Sequence, residues 1–167
     1  MQVLIFILLA GKLLTVTAPQ SIAAPEQEGL LAQMPNGQTT IVYAHSNLSG
    51  TLFYDLKVGD TITAYYGDGT TKTFKVVTTG IHIAQSTEIA KGGGNFDLRV
   101  ENNWMKLTDV TNMYSTPNGI TLITCYSANK GHAVTTGRLF LELIPVESAV
   151  NESASIGIVP TMTRVQH

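Results

Sequence analysis

The sequence predicts an all-β protein. Valine and threonine recur in short runs that glycine and other turn residues separate, a pattern typical of strands. Charged residues make up only 13% of the chain, about half of the roughly 25% that is usual for globular proteins. A chain of 167 residues is long enough to build one domain around a sizeable core.

Charge and cysteine content narrow the possible functions. The formal net charge is −2 and the pI is near 6.0, so the chain lacks the basic character of a nucleic-acid-binding protein. A single cysteine excludes an internal disulfide and a zinc site of clustered cysteines.

We expect no cofactor. Gly67-Asp68-Gly69 resembles a fragment of a calcium loop, but without further carboxylates at ligand spacing it favours a hairpin turn, and a loop-bound Ca²⁺ is left open.

The N-terminal residues 1–24 allow three interpretations. Residues 3–10 are apolar, Lys12 interrupts them, and residues 13–17 continue the run, as in a signal peptide cut after Ala23 or in an uncleaved membrane anchor. No Lys or Arg precedes the run, and about 15 residues fall short of the roughly 20 that span a bilayer. The third interpretation makes residues 12–17 the first strand.

The expected main domain spans residues 25–150. Within it, Thr39 to Ala44 alternates between two faces and predicts a strand, and residues 51–56 predict a short helical turn that docks on the core. Two more strands are predicted, at residues 61–66 and 71–79, joined by the Gly-Asp-Gly turn. Residues 151–167 are expected to form a tail or an edge strand.

The stretch from residue 81 to residue 113 is the least regular part of the sequence. Its glycine-rich segment 91–95 favours a substrate-contacting loop, because long excursions between core strands commonly carry function. We expect Trp104 and Met105 to cap an edge of the core.

The only cysteine follows an apolar, β-branched run. Ile120 to Thr124 predicts a buried strand, residues 126–137 a polar loop, and Leu139 to Ile144 a second strand. If the two strands pair as a hairpin, Cys125 faces Arg138, with Cβ atoms roughly 4.5–5.5 Å apart. A thiol and a permanently charged guanidinium would then share one pocket, which suits a nucleophile beside a developing oxyanion.

Four ordered features between residues 39 and 146 resemble the sortases, which are bacterial cysteine transpeptidases built on an eight-stranded β-barrel. The pentad Thr121-Leu122-Ile123-Thr124-Cys125 matches the family signature Thr-Leu-x-Thr-Cys at every fixed position. The chain departs from the family in two ways. Ala44 replaces a glycine that precedes the histidine in many sortases, and only 44 residues precede His45, where the family usually carries a pair of strands and a helix. The other three features are Tyr43-Ala44-His45-Ser46, then Phe53 and Leu56 before the turn Val58-Gly59-Asp60, and Arg138 one loop beyond the cysteine.

This resemblance implies a closed barrel of about eight strands and a three-residue catalytic site. Cys125 would attack a peptide carbonyl as a thiolate, His45 would move protons, and Arg138 would hold the oxyanion or the substrate backbone. Four neighbouring residues are predicted to bind substrate. They are Thr124, Ala44, Ser46 and Tyr126.

The resemblance also implies partners and a location. The expected substrate is a sorting-signal peptide of the Leu-Pro-x-Thr-Gly type on surface proteins, and the acceptor is an amine of a cell-wall peptide or a pilin lysine. The site would lie on the extracytoplasmic face of a bacterial envelope, in an anchored or secreted protein. A hydrolytic cysteine peptidase on the same barrel and a non-catalytic exported barrel that binds peptides or glycans remain alternatives. We interpret His82, His132 and His167 as surface or loop residues.

Overall fold

The computed structural model describes residues 4–17, 30–33, 39–85, 96–128 and 136–146. His132, His167, the glycine-rich segment 91–95 and the predicted tail lie outside these residues. The strands are β1 (Leu4–Leu9), β2 (Lys12–Thr17), β3 (Leu30–Gln33), β4 (Thr40–Ala44), β5 (Thr61–Tyr66), β6 (Thr71–Ile83), β7 (Asp97–Val100), β8 (Asn103–Lys106), β9 (Ile120–Tyr126) and β10 (Gly137–Pro145). A 3-10 helix spans Ser49–Asp55, and the helix α1 spans Leu107–Met113.

Eight strands form a ring in the order β1, β2, β3, β4, β9, β10, β6 and β5, and β5 pairs back to β1. The pairs β2–β3 and β4–β9 are parallel, and the other pairs are antiparallel. The predicted all-β barrel is therefore confirmed. Its wall is thinnest between β2 and β3, where two residue pairs join the strands.

Residues 4–17 form the hairpin β1–β2 within this wall. Residues 12–17 are therefore a strand, as the third interpretation expects, but they form the second strand and not the first. Leu4, Ile7, Leu9 and Val16 are buried in the barrel core. The barrel thus includes residues that precede position 25, where the sequence suggested that the domain begins. Among the described residues, no helix has the length and apolar character needed to cross a membrane.

Strand alternation divides the apolar residues between two cores. Val42 and Ala44 of β4 point into the barrel, where they join the interior cluster. Ile41 and Tyr43 lie on the opposite face and belong to a second cluster outside the barrel. This outer cluster covers part of the external surface of β4, β9 and β10. Its buried members are Ile41, Ala84, Phe96, Leu98, Val110, Tyr114, Ile123 and Phe140.

Residues 96–114 supply most of the outer layer. Leu98 on β7, Val110 on α1 and Tyr114 at the end of α1 lie on the external face of the barrel. Met105 packs at the margin of the outer cluster, as expected. Trp104 is 46% exposed, so the prediction that it caps a core edge is wrong. It lies next to Met105 on a two-stranded sheet, where neighbouring side chains point in opposite directions.

Candidate active site

Three neighbouring strands bring the predicted catalytic residues to one end of the sheet. Cys125 on β9 pairs directly with Arg138 on β10, as the predicted hairpin requires. On the other side of β9, Thr124 pairs with Ala44 in the parallel ladder with β4. His45 directly follows Ala44, the last residue of β4, just as Cys125 directly follows Thr124 on β9, so His45 and Cys125 lie at the same end of the sheet.

Alternation places these side chains on the external face of the barrel. Leu122 and Leu139 point into the interior cluster, whereas Ile123 and Phe140 belong to the outer cluster. Cys125 is two residues beyond Ile123, and Arg138 is two residues before Phe140, so both share the external face. Cys125 as a whole residue is half-buried. The site therefore lies outside the barrel core, beside the outer cluster.

Arg138 is held on an aromatic platform. Its guanidinium carbon lies 4.7 Å from the centre of the Phe96 ring, a distance at which the ring face attracts the cation. One terminal nitrogen, Nη1, donates a hydrogen bond of 2.9 Å to the carbonyl of Gly137. Partial burial lowers the pKa of the guanidinium from its usual value, while Cys125 and Tyr43 act in the opposite direction. A partly desolvated cation of this kind interacts strongly with a negative charge that develops beside it.

Backbone hydrogen bonds fix the segment that carries His45. The amides of Leu48 and Gly50 both donate to the His45 carbonyl, at 3.0 and 2.9 Å. The hydroxyl of Thr124 donates to the carbonyl of Ala44 at 2.8 Å. The turn after β4 is thereby tied both to the following 3-10 helix and to the strand that carries the cysteine.

Gly50 is required near the start of the 3-10 helix because nothing larger fits. A Cβ atom there would lie 2.6 Å from the His45 carbonyl oxygen and closer still to the Thr124 hydroxyl. We expect Gly50→Ala to lower the free energy of unfolding by about 1–3 kcal/mol, the usual cost of overpacking a core. Urea denaturation measures this change.

Ser49→Ala is the matched control for Gly50→Ala. It places alanine one position earlier in the same helix, where the buried Ser49 hydroxyl has no hydrogen-bond partner among the described residues. We expect it to leave the stability within about 0.5 kcal/mol of wild type, as for substitutions that remove no interaction. Equal stability losses in the two variants would contradict the steric explanation.

The structure corrects the interpretation of His82 as a surface or loop residue. His82 lies within β6, is half-buried, and pairs directly with Arg138 across the β6–β10 ladder. Its Nδ1 lies 3.0 Å from the carbonyl of Arg99 and its Nε2 lies 2.8 Å from the hydroxyl of Tyr114. Since a carbonyl only accepts, Nδ1 carries a proton and His82 joins the outer layer to the barrel next to Arg138. Extending the predicted β6 by four residues would have placed His82 on a strand, although not beside Arg138.

Of the four predicted substrate-binding residues, three are buried and one is half-buried. Ala44 and Thr124 are buried inside the barrel, where the Thr124 hydroxyl bonds to the Ala44 carbonyl. Their side chains support the site from within, which corrects the expectation that they contact substrate. Ser46 is also buried. Tyr126 is half-buried, and its ring stacks on Tyr54 at a centroid distance of 6.2 Å, so substrate contact at Tyr126 stays a prediction.

The carboxylates near the turns have local roles. Asp68 accepts hydrogen bonds from the amide of Thr70 at 3.0 Å and from its hydroxyl at 2.6 Å, as expected of a hairpin turn. Over the described ranges, no group of three or more His, Cys, Asp or Glu side chains is arranged to hold a metal ion.

The fold is similar to that of several solved sortases. The identities are below 25%, so these likenesses concern the fold. Sortase C1 from Streptococcus suis gives a TM-score of 0.57 with 18% identity, over 89% of this chain and 75% of that one. A lid mutant of sortase A from Corynebacterium diphtheriae gives 0.56 with 20% identity, over 91% and 75%. Sortase C from Clostridium perfringens SM101 gives 0.56 with 15% identity, over 87% and 71%.

The sequence itself carries the family assignment. The model of the Sortase domain matches residues 14–142, a range that contains β4, β9 and most of β10 with their three candidate catalytic residues. No match was found among curated proteins. The matched range covers well over half of the chain and includes all or most of every barrel strand except β1. The chain therefore belongs to the sortase family of cysteine transpeptidases.

Proposed function

We propose that this protein cleaves a sorting-signal peptide of the Leu-Pro-x-Thr-Gly type and transfers the released acyl group to an amine. The observation that supports this most strongly is the strand register. It pairs Cys125 on β9 with Arg138 on β10 and, through the pair Thr124 and Ala44, brings the end of β4 that precedes His45 to the same end of the sheet. The products would be surface proteins joined to a cell-wall peptide, or pilins joined through a lysine. The reaction would take place on the outer side of the bacterial envelope.

The first half of the reaction forms a thioester. The Cys125 sulfur, as a thiolate, bonds to the carbonyl carbon of the scissile peptide, and the carbonyl oxygen becomes an oxyanion. The guanidinium of Arg138 on its Phe96 platform donates hydrogen bonds to that oxyanion. When the oxyanion collapses, the C–N bond breaks and protonated His45 gives its proton to the leaving amine.

The second half releases the product. The incoming amine attacks the thioester carbonyl, and neutral His45 removes a proton from it as the new C–N bond forms. The C–S bond then breaks and the thiolate of Cys125 is restored. Thus one imidazole acts first as an acid and then as a base, and no net proton or electron is consumed.

Product analysis with wild-type protein tests this proposal. We expect a Leu-Pro-x-Thr-Gly peptide to yield an acyl-enzyme on Cys125, detected by intact-protein mass spectrometry, and an amide product when an amine is added. A peptide of the same composition in scrambled order is the control and should give neither.

The product distribution separates the alternatives. If the peptide is cleaved but its acyl group goes to water at the same rate with and without amine, the protein is a hydrolase. If the ordered and scrambled peptides both remain intact with a range of amine acceptors, the transpeptidase proposal is wrong and a binding role replaces it.

A further inference from the structure

Strand β9 extends past the end of its parallel neighbour. The ladder between β4 and β9 ends at the pair Ala44 and Thr124, while β9 continues to Tyr126. Beyond this point β4 offers no further partners to the edge of β9. In an extended chain, residues two apart direct their backbone groups to the same edge, so the polar groups of Cys125 and Ser127 face the same side. Groups of this kind need a partner when they are shielded from water.

The side chain of Tyr54 supplies that partner. Its hydroxyl donates a hydrogen bond of 2.7 Å to the carbonyl of Cys125 and accepts one of 3.1 Å from the amide of Ser127. A phenolic hydroxyl can do both because it has one donor and free lone pairs. Burial raises the pKa of this phenol, which favours the protonated form that donates. The Tyr54 hydroxyl therefore makes the hydrogen bonds to β9 that the backbone of a further residue of β4 would otherwise make.

Tyr54 also contacts Tyr126, the residue between Cys125 and Ser127. Its ring stacks on that of Tyr126 with an interplanar angle of 25°. Contacts on the carbonyl of Cys125, the ring of Tyr126 and the amide of Ser127 leave little freedom for the peptide units that follow the sulfur. Together with the pairing of Cys125 and Arg138, this contact restrains the backbone at Cys125 and with it the direction of the Cα–Cβ bond that carries the sulfur.

The same tyrosine connects the cysteine to the histidine. Tyr54 lies in the 3-10 helix Ser49–Asp55, whose first turn is anchored because Gly50 donates to the His45 carbonyl. The path from His45 through this helix to the carbonyl of Cys125 is short and consists of hydrogen bonds and close packing. It runs alongside the direct link between Thr124 and Ala44.

We propose that Tyr54 is a positioning residue whose hydroxyl fixes the nucleophile Cys125 at a set distance from His45 and Arg138. The role rests on the proposed function, since it describes how the nucleophile of that reaction is oriented. Tyr54 contacts the backbone of the nucleophile and not its reacting atom. Tyr54 therefore increases the fraction of time that the Cys125 sulfur spends in the productive geometry.

Tyr54→Phe tests the proposal because it keeps the ring and its stacking and removes only the hydroxyl. We expect kcat to fall roughly 10-fold while KM stays within about twofold, since a misplaced nucleophile slows chemistry without removing substrate contacts. Tyr66→Phe is the matched control. Tyr66 lies on β5, which borders β1 and β6 and neither β4 nor β9, so this variant should keep wild-type kinetics.

Two measurements do not depend on the peptide substrate. In Tyr54→Phe, hydrogen exchange at the Ser127 amide should become roughly 10-fold faster because its acceptor is gone, while exchange at Leu122 stays slow. Alkylation of Cys125 by iodoacetamide at pH 7 should also be slower than in wild type and in Tyr66→Phe. A wild-type protein that forms no peptide product would overturn the proposed function and leave these two tests in force.

Several results would overturn the role of Tyr54. They are a kcat within twofold of wild type, equal losses in Tyr54→Phe and Tyr66→Phe, and a change confined to KM. Unchanged exchange at Ser127 would show that the hydroxyl does not hold this amide. If Tyr54→Phe fails to unfold cooperatively on heating, the hydroxyl maintains the fold and the positioning role is excluded.

Discussion

Cys125→Ala is expected to abolish peptide cleavage and transfer, with a fall in kcat/KM of at least roughly 10³-fold. Alanine keeps the Cβ atom and the pairing of β9 with β10 and β4, so Arg138 and His45 stay in place. Only the atom that forms the thioester is removed. Cys125 is the single cysteine of the chain, and no other thiol can replace it. The rate of product formation and the mass of the acyl-enzyme measure the effect.

Thermal unfolding and a second variant control this prediction. Because Cys125 is half-buried, replacing it with a smaller residue should shift Tm by no more than a few degrees. Cys125→Ser keeps a hydroxyl in the same position and should also be nearly inactive, since the alcohol is a much weaker nucleophile than a thiolate. Activity in the alanine variant near that of wild type would exclude a covalent mechanism through this residue.

The centre of the site could be predicted from sequence because it depends on local signals. An apolar, β-branched strand, one polar loop and a second apolar strand define a hairpin, and the hairpin alone aligns Cys125 with Arg138. The alternation in Thr39 to Ala44 likewise identified the two faces of β4. Residues 51–56 were predicted as a short helical turn, and the structure has a 3-10 helix at Ser49–Asp55.

The N-terminal hairpin could not be predicted because its turn lacks the usual sequence signal. Ala10 and Gly11 both have positive φ, at 47° and 76°, as in the two-residue turns that match strand twist. Asparagine or aspartate before the glycine would have identified such a turn, whereas alanine rarely adopts this conformation. Without that signal, the apolar residues on either side resembled a leader or an anchor.

The supporting groups of the site depend on contacts between distant parts of the chain. Phe96 contacts Arg138 because it belongs to the outer cluster on the external face of the barrel, although the two residues are far apart in the sequence. The β6–β10 register shifts at Glu142 and Leu143, so the partner of His82 could not be counted from the turns. Tyr54 was expected only to lie in a helical turn, because nothing in its neighbours indicates a bond to the Cys125 carbonyl.

Arg138→Lys is expected to lower kcat/KM by roughly 10²–10³-fold, the range seen when one oxyanion donor is removed. Lysine keeps the positive charge, so a role in simple charge attraction would survive the change. It lacks the planar fork and cannot stack on Phe96 in the same way, so its ammonium would not be held beside Cys125. The loss should appear in kcat more than in KM, because the oxyanion exists only after the sulfur attacks. Steady-state kinetics with the peptide and an amine measure this division.

Phe96→Leu separates the contribution of the Phe96 ring from that of the Arg138 guanidinium. Leucine fills much of the same space in the outer cluster, so the outer layer should stay folded, but it offers no ring face to the guanidinium. We expect a loss of only about 2- to 5-fold in kcat/KM, the size of an exposed or half-buried cation–π contact. In Arg138→Lys the same substitution should add almost nothing, because the stacked cation is already absent. Independent, multiplicative losses in the double variant, or a lysine variant with near wild-type kcat, would mean that the stacked guanidinium does not act at the oxyanion.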